Sequence, residues 1–302
     1  MSDAMIVFDR ALVRARRTRA VASLGQADFL FREAAERLVE RLEDITRVFP
    51  MALDIGCHDG AVGRALGGRG GVETLVQCDF SPAMAAAAGG LALAADEESQ
   101  PFAPGAFDLV LSALSLHWVN DLPGALLQLS RALKPDGLLL ASMLGGETLI
   151  ELRQALIAAE SELEGGAGPR VSPFADVRDL GGLLQRAGFA LPVVDADTLT
   201  VSYPDPFALM ADLRAMGETS ALLERRRRPS RRTTFLRAAE LYQDHHGGPD
   251  GRVPATFQIL TMTAWAPHAS QQQPLRPGSA KARLAQALGG EEVSAGEKAG
   301  RD

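Results

Sequence analysis

The chain has 302 residues, is 46% apolar and carries a net charge of −7. That length and apolar content support a sizeable core in one elaborated domain or two, and no apolar run approaches the roughly 20 residues a membrane-spanning helix needs. The acidic balance excludes nonspecific nucleic-acid binding as the main activity, because replacing phosphate counterions takes a broad basic surface.

Near the N-terminus, Arg10, Arg14, Arg16, Arg17 and Arg19 interleave with Leu12 and Val13. Asp3 and Asp9 interrupt the acid-poor pattern of a transit peptide and no hydrophobic signal core follows, so the segment is expected to be a basic amphipathic helix of the mature protein. From about residue 27 to 47, Phe29, Leu30, Ala34, Leu38, Leu42 and Ile45 recur at helical spacing, giving one buried face ahead of the first strand. Met51-Ala52-Leu53 supplies that strand. It runs into Asp54-Ile55-Gly56-Cys57-His58-Asp59-Gly60, whose glycines let backbone approach a ligand where a Cβ would collide. A second apolar run, Thr74 to Cys78, closes on Asp79. This puts a carboxylate at a strand's carboxyl edge, where open α/β sheets bind ligands and where it can accept hydrogen bonds from both ribose hydroxyls. Turn and carboxylate together describe a nucleotide-like cofactor site. Cys57 and Cys78, the two cysteines, lie in or beside these strands and fit structural thiols in a reducing compartment.

Further strand-like runs recur at 91–95, 107–112 and 137–143, alternating with helices or loops, which implies a doubly wound parallel sheet. Lys134-Pro135-Asp136-Gly137 is a turn signal between a helix over 124–133 and the fifth strand. Helices are expected over 147–163 and 176–187, with Gly188 closing the second, then a strand over 192–203. Two helical patterns fill 205–246, and the β-rich run 255–265 is expected to pair with the strand near 192–203. A helical insertion between the last two strands would cap the ligand edge. The expected organisation is an N-terminal helical segment (1–47), a cofactor-binding core (48–145), a C-terminal part of the same domain with the cap and the last two strands (146–268), and a disordered tail without aromatics (269–302).

Past the fourth strand, the run Leu114 to Pro123 again lies at the ligand edge. Two readings stay open there. Either the His117 imidazole and Trp118 indole line the space between cofactor and substrate, or Trp118 packs under the cofactor while His117 caps the next helix. No metal is expected: His117 and Asp121 stand at i, i+4 without a second histidine, and His245 and His246 diverge by about 100° on a helix. Neither a nucleophile elbow nor a P-loop occurs. Arg225 to Arg228, with Arg231 and Arg232, reads by default as a solvated charged face, the sharper alternative being a dock for an acidic protein or an anionic membrane surface. A dinucleotide-binding turn would want glycine at 58, 60 and 63, and His58 would meet the diphosphate at its closest approach.

The order of acid, glycine turn, second acid and then Asp96 after the third strand resembles the S-adenosylmethionine site of class I methyltransferases. Asp54, Gly56 and Gly60 match that family's acid-x-Gly-x-Gly-x-Gly pattern, with His58 in place of the middle glycine; Phe107-Asp108-Leu109-Val110 adds to the match. The resemblance implies an α/β, Rossmann-like fold: a doubly wound, mainly parallel seven-stranded sheet. It also implies that Asp54 orders the turn and the methionine amino group, Asp79 holds the ribose, Asp96 accepts a bond from the adenine amine, and Glu97 offers its backbone amide to the ring. Cys57, His58 and Phe80 complete the implied cofactor-binding set.

Several segments are similar to the complex I assembly factor 5 family across roughly residues 5 to 268. They include Met5 to Arg10, the Leu114 to Pro123 run, Gly145 to Leu149, Ser172-Pro173-Phe174, Arg186 to Phe189, Met216-Gly217-Glu218 and Asp250 to Thr256. That family supports assembly of respiratory complex I and is credited with hydroxylating an arginine of a complex I subunit. The resemblance therefore implies an S-adenosylmethionine-binding enzyme with a protein substrate, His117 and Trp118 facing it, and peripheral contact with membrane-associated assembly intermediates. A cytoplasmic location is expected, since the resemblance begins at Met5. Two alternatives are an O-methyltransferase of a carrier-bound acid, as in biotin synthesis, which shares the fold and the His-Trp motif, and a non-catalytic assembly chaperone.

Overall fold

The computed structural model describes residues 6–272 and residue 289, and the packed unit runs to His268. In chain order it comprises α1 (Arg10–Ala20), α2 (Phe29–Glu40), β1 (Met51–Ile55), α3 (Ala61–Leu66), β2 (Thr74–Asp79), α4 (Pro82–Ala88), β3 (Leu91–Ala94) and β4 (Phe107–Ala113). There follow α5 (Leu122–Ala132), β5 (Leu133–Leu144), α6 (Ile150–Glu164), α7 (Val177–Arg186), β6 (Ala190–Tyr203), α8 (Pro206–Met216), α9 (Arg232–His246) and β7 (Val253–Trp265).

The seven strands form one sheet in the order β3-β2-β1-β4-β5-β7-β6. All neighbours from β3 to β5 pair in parallel, and β7 runs antiparallel between β5 and β6. The central strands are continuous apolar runs because both faces are covered. Ala52, Leu109, Leu111, Leu138 and Ile259 pack on one side with α2, α6 and α9. Their neighbours Leu53, Val110, Leu139 and Leu260 pack on the other with Leu126 and Leu129 of α5 and Leu180 and Leu184 of α7. The strand order reverses between β1 and β4, so the crevice outside their carboxyl ends is the ligand position for an open sheet of this kind.

Local chemistry starts the helices that frame the crevice. The Asp9 carboxylate accepts the Leu12 N–H at the start of α1, the Ser81 hydroxyl accepts from Met84 N–H at α4, and Asp121 accepts from Gly124 N–H at α5. Each satisfies an N–H that the first helical turn leaves unpaired. Because Asp121 caps α5, the expectation that His117 caps this helix is corrected. The helices α8 and α9 form the insertion between the last two strands.

Several boundaries differ from the sequence expectation. The first long helix ends at Glu40 rather than near residue 47, and that over 147–163 begins only at Ile150, after Leu149 turns through the left-handed region at φ 55°. The Lys134 to Gly137 turn signal lies inside β5. Leu133 pairs with Phe107, the register shifts, and pairing resumes at Leu138 with Leu109. Asp136 takes φ 63° within the shift, and its N–H donates to Ala266 O at 3.1 Å, so the turn residues form an irregularity that the sheet absorbs. Most of the segment after His268 that was read as a disordered tail lies outside the described residues.

Candidate functional site

β1 carries Asp54 to the crevice, and the chain then turns through Gly56 at φ 71°, His58 at φ 49° and Gly60 at φ 86° before α3 begins. A Cβ on Gly56 would stand 2.1 Å from the Ser115 side chain, so only glycine lets the β1 and β4 loops approach this closely. His58 holds a left-handed conformation at the position where the glycine pattern is broken. Its ring packs at a 45° tilt against Phe31, with centroids 4.3 Å apart, and donates from Nε2 to Leu114 O at 3.2 Å. Burial, followed by the nearby Arg17 charge, lowers the imidazole pKa and keeps it neutral. The Cys57 and Cys78 thiols are buried and free, with pKa values raised by that burial.

Asp54 is fully buried and neither carboxylate oxygen has a hydrogen-bond partner. Burial, and then the Asp79 charge, push its pKa well above the ordinary carboxylate value. A buried acid without a donor is costly, and an ammonium group delivered to this turn is the partner it lacks. The turn and Asp54 thus fit the methionine end of S-adenosylmethionine.

The remaining acids are held by α1. The Arg17 guanidinium is 1% exposed and donates to Asp79 Oδ2 at 3.2 Å, Glu97 Oε1 at 3.0 Å and Ser115 Oγ at 2.8 Å. Arg10 donates to Asp96 Oδ1 at 2.7 Å and Glu97 Oε2 at 2.5 Å, and lies 4.3 Å over the Phe80 ring. Burial opposes the Arg17 charge, but Asp79 and Glu97 outweigh it and raise its pKa. Burial likewise disfavours the Glu97 carboxylate, yet Arg17 and Arg10 hold it at about 2. Asp79 also accepts from the backbone N–H groups of His58 and Ser81.

His117 and Trp118 are buried in a short helical turn after β4. His117 Nε2 and Trp118 Nε1 both reach Glu218 Oε2 at 2.9 Å. Glu218 Oε1 is buried without a partner. Burial would raise the Glu218 pKa, but His117 leads the charges that bring it below its ordinary value. Trp118 and Glu218 line a cavity of about 310 Å³ walled by Leu144, Leu152, Phe174 and Phe257. The hydrogen-bonded His117–Glu218 pair can hold a proton at the edge of this cavity. No metal-holding group of three or more His, Cys, Asp or Glu side chains occurs among the described residues.

Comparison with known proteins agrees with this geometry. Residues 53–141 match a methyltransferase domain family. The chain is 44% identical over 288 residues to the mitochondrial arginine-hydroxylase NDUFAF5 of Danio rerio, a match that covers 93% of this chain and 89% of that protein. The chain belongs to the NDUFAF5 family. A malonyl-acyl-carrier-protein O-methyltransferase of Methylovorus sp. is 35% identical, over 89% of this chain and 92% of that protein. Among solved structures, the YcgJ protein of Bacillus subtilis superposes with a TM-score of 0.53 at 14% identity, over 77% of this chain and 98% of that one. The fold is that of class I methyltransferases.

The structure gathers the sequence-predicted residues Asp54, Gly56, Gly60, Asp79, Asp96 and Glu97 around one crevice. The sequence pattern missed Arg10, Arg17, Ser115 and Glu218. Glu218 stands in the matched segment Met216-Gly217-Glu218, a signal to which no role had been attached. In the arginine run of 225–232, Arg226, Arg227, Arg228, Arg231 and Arg232 are exposed, as a solvated face would be, with Arg226 paired to Glu164, while Arg225 is half-buried and pairs with Asp9 at 3.1 Å.

Proposed function

We propose that this protein is an S-adenosylmethionine-binding enzyme that acts on an arginine of a protein substrate, a subunit of respiratory complex I. The observation that carries the reading is the near full-length relationship to the arginine hydroxylases, 44% identical over 93% of the chain. The unpartnered Asp54 supports the cofactor assignment from the structure itself. In this reading Asp54 takes the cofactor's ammonium, Asp79 its ribose, and Asp96 with Glu97 its adenine. When bound, the cofactor supplies an electrophilic sulfonium methyl. The chain's own part is to orient both ligands, with Trp118 shaping the cavity wall and the His117–Glu218 pair holding a proton beside it. Oxygen insertion into a carbon–hydrogen bond draws on a redox centre, and none of these residues is assigned to that step. Mass spectrometry of complex I subunits from a strain lacking the gene is expected to show one arginine without the one-oxygen increment present in the parent. An arginine that keeps the increment in the deletion strain overturns the hydroxylase reading.

A second reading, O-methylation of a carrier-bound acid, is favoured by Arg16 at the cavity lining. Arg16 donates to Thr219 O and Ser220 O and has no carboxylate partner among the described residues. Burial, and then Arg225, lower its pKa to about 10, a state that an anionic ligand would relieve. Biotin dependence of the deletion strain would support this reading over the first.

A further inference from the structure

The three acids assigned to the cofactor's ribose and adenine come from the ends of two different strands, yet all are held by one helix that belongs to neither. Arg10, Arg14 and Arg17 recur at i, i+4 and i+7 and therefore project from one face of α1. Arg17 is buried and Arg10 half-buried, while Arg14 between them is exposed. Arg10 and Arg17 bind Asp79, Asp96 and Glu97, and Arg10 and Arg14 stack over Phe80 at 4.3 and 5.5 Å. The helix is pinned to the start of α4 by a 2.8 Å contact between the Thr18 and Ser81 hydroxyls. Upstream, Asn120 Oδ1 accepts the Val7 and Phe8 N–H groups, each at 2.8 Å.

We infer that α1 is a latch over the cofactor crevice: the Arg17 guanidinium holds the position between Asp79 and Glu97 that the ribose and adenine must take, so the cofactor enters only when α1 swings outward. The inference rests on the reading that these acids bind S-adenosylmethionine. The chemistry of the seal suits a reversible closure. Buried ion pairs gain little over their separately hydrated partners, while stranding one member is severe. Arginines and acids must therefore part together, the arginines into water and the acids onto the incoming hydroxyls and amine. An apolar helix face in the same place would leave an exposed greasy surface on opening. Downstream, the helical turn at Leu24–Gln26 separates the latch from α2, and the buried Leu24 anchors that turn in the core packed by α2.

The Thr18–Ser81 contact provides the test. A Thr18→Cys/Ser81→Cys double variant replaces two hydroxyls in 2.8 Å contact with thiols that oxidation can join, whereas Cys57 and Cys78 are buried. Calorimetry with S-adenosylhomocysteine is expected to show binding to wild type and to the reduced variant, a loss of roughly tenfold or more in affinity on oxidation, and recovery with reductant. The reduced variant controls for the altered cap of α4. Arg17→Met, which removes the competing guanidinium, is expected to tighten binding by roughly threefold to tenfold, and the ligand should speed amide exchange across residues 10–20 of wild type. Oxidised protein that binds with unchanged affinity overturns the latch and leaves the cofactor reading standing; so does an Arg17→Met variant that binds no tighter. Wild type that binds no S-adenosylhomocysteine overturns both.

Discussion

Asp54 combines complete burial with two unpartnered oxygens, and its titration has a definite sign. Burial and the Asp79 charge raise its folded-state pKa above the ordinary 3.8. Below that value the carboxyl is neutral in both folded and unfolded chains and carries no penalty. As pH rises above it, the unfolded chain ionises first and the folded state loses stability until the folded pKa is passed. Asp54→Asn is therefore expected to raise the thermal midpoint at neutral pH by several degrees, with the advantage vanishing below about pH 4. The same variant should bind S-adenosylhomocysteine more weakly, because an amide offers no charge to the ammonium. Scanning calorimetry across that range checks the first part, and a midpoint equal to wild type at neutral pH would refute it.

Elements bring together what individual residues cannot. α8 ends at Gly217, φ 82°, and the turn delivers Glu218 from the cap insertion onto His117 and Trp118 at the sheet edge. Glu218→Ala strips the acceptor from two buried donors and is expected to cost about 2–4 kcal/mol. Glu218→Gln keeps an acceptor for the indole and should cost less. Urea denaturation measures both, and an alanine variant within about 0.5 kcal/mol of wild type would show that the cluster does not tie cap to sheet. The elements themselves were largely legible. Leu53, Val110 and Leu139 lie in continuous apolar runs because their strands are covered on both faces, and the pairing of the strands near 192–203 and 255–265 followed from two β-rich segments flanking one helical insertion. The inward face of α1 was not legible, because a stripe of arginines has the pattern of a solvated surface. What turns it inward are Asp79 and Glu97, separated from Arg17 by 62 and 80 residues, and pairing over such distances leaves no periodicity in the sequence. Gly56 was legible as a close approach, but its partner Ser115 was not, for the same reason.

At the scale of the whole molecule, the arginine–acid network joins the N-terminal helix to the carboxyl ends of β2 and β3, so its titration should register in global stability. Glu97 has a folded-state pKa of about 2 against an ordinary 4.5. A depressed carboxylate stabilises the fold in full above its unfolded value, and that stabilisation is lost as pH falls from about 4.5 towards 2. Asp54 acts with the opposite sign over part of the same range, so the measurement is cleanest in an Asp54→Asn background. There, denaturant unfolding free energy is expected to fall steeply between about pH 4.5 and pH 2, and the added substitution Glu97→Gln should flatten that fall. Glu97→Gln will also lower stability at neutral pH by weakening the hold on two arginines, which is why the pH slope and not the offset is the diagnostic quantity. If the slope is the same with glutamine at 97, the network does not couple α1 to the global fold, and the acid sensitivity belongs to other carboxylates.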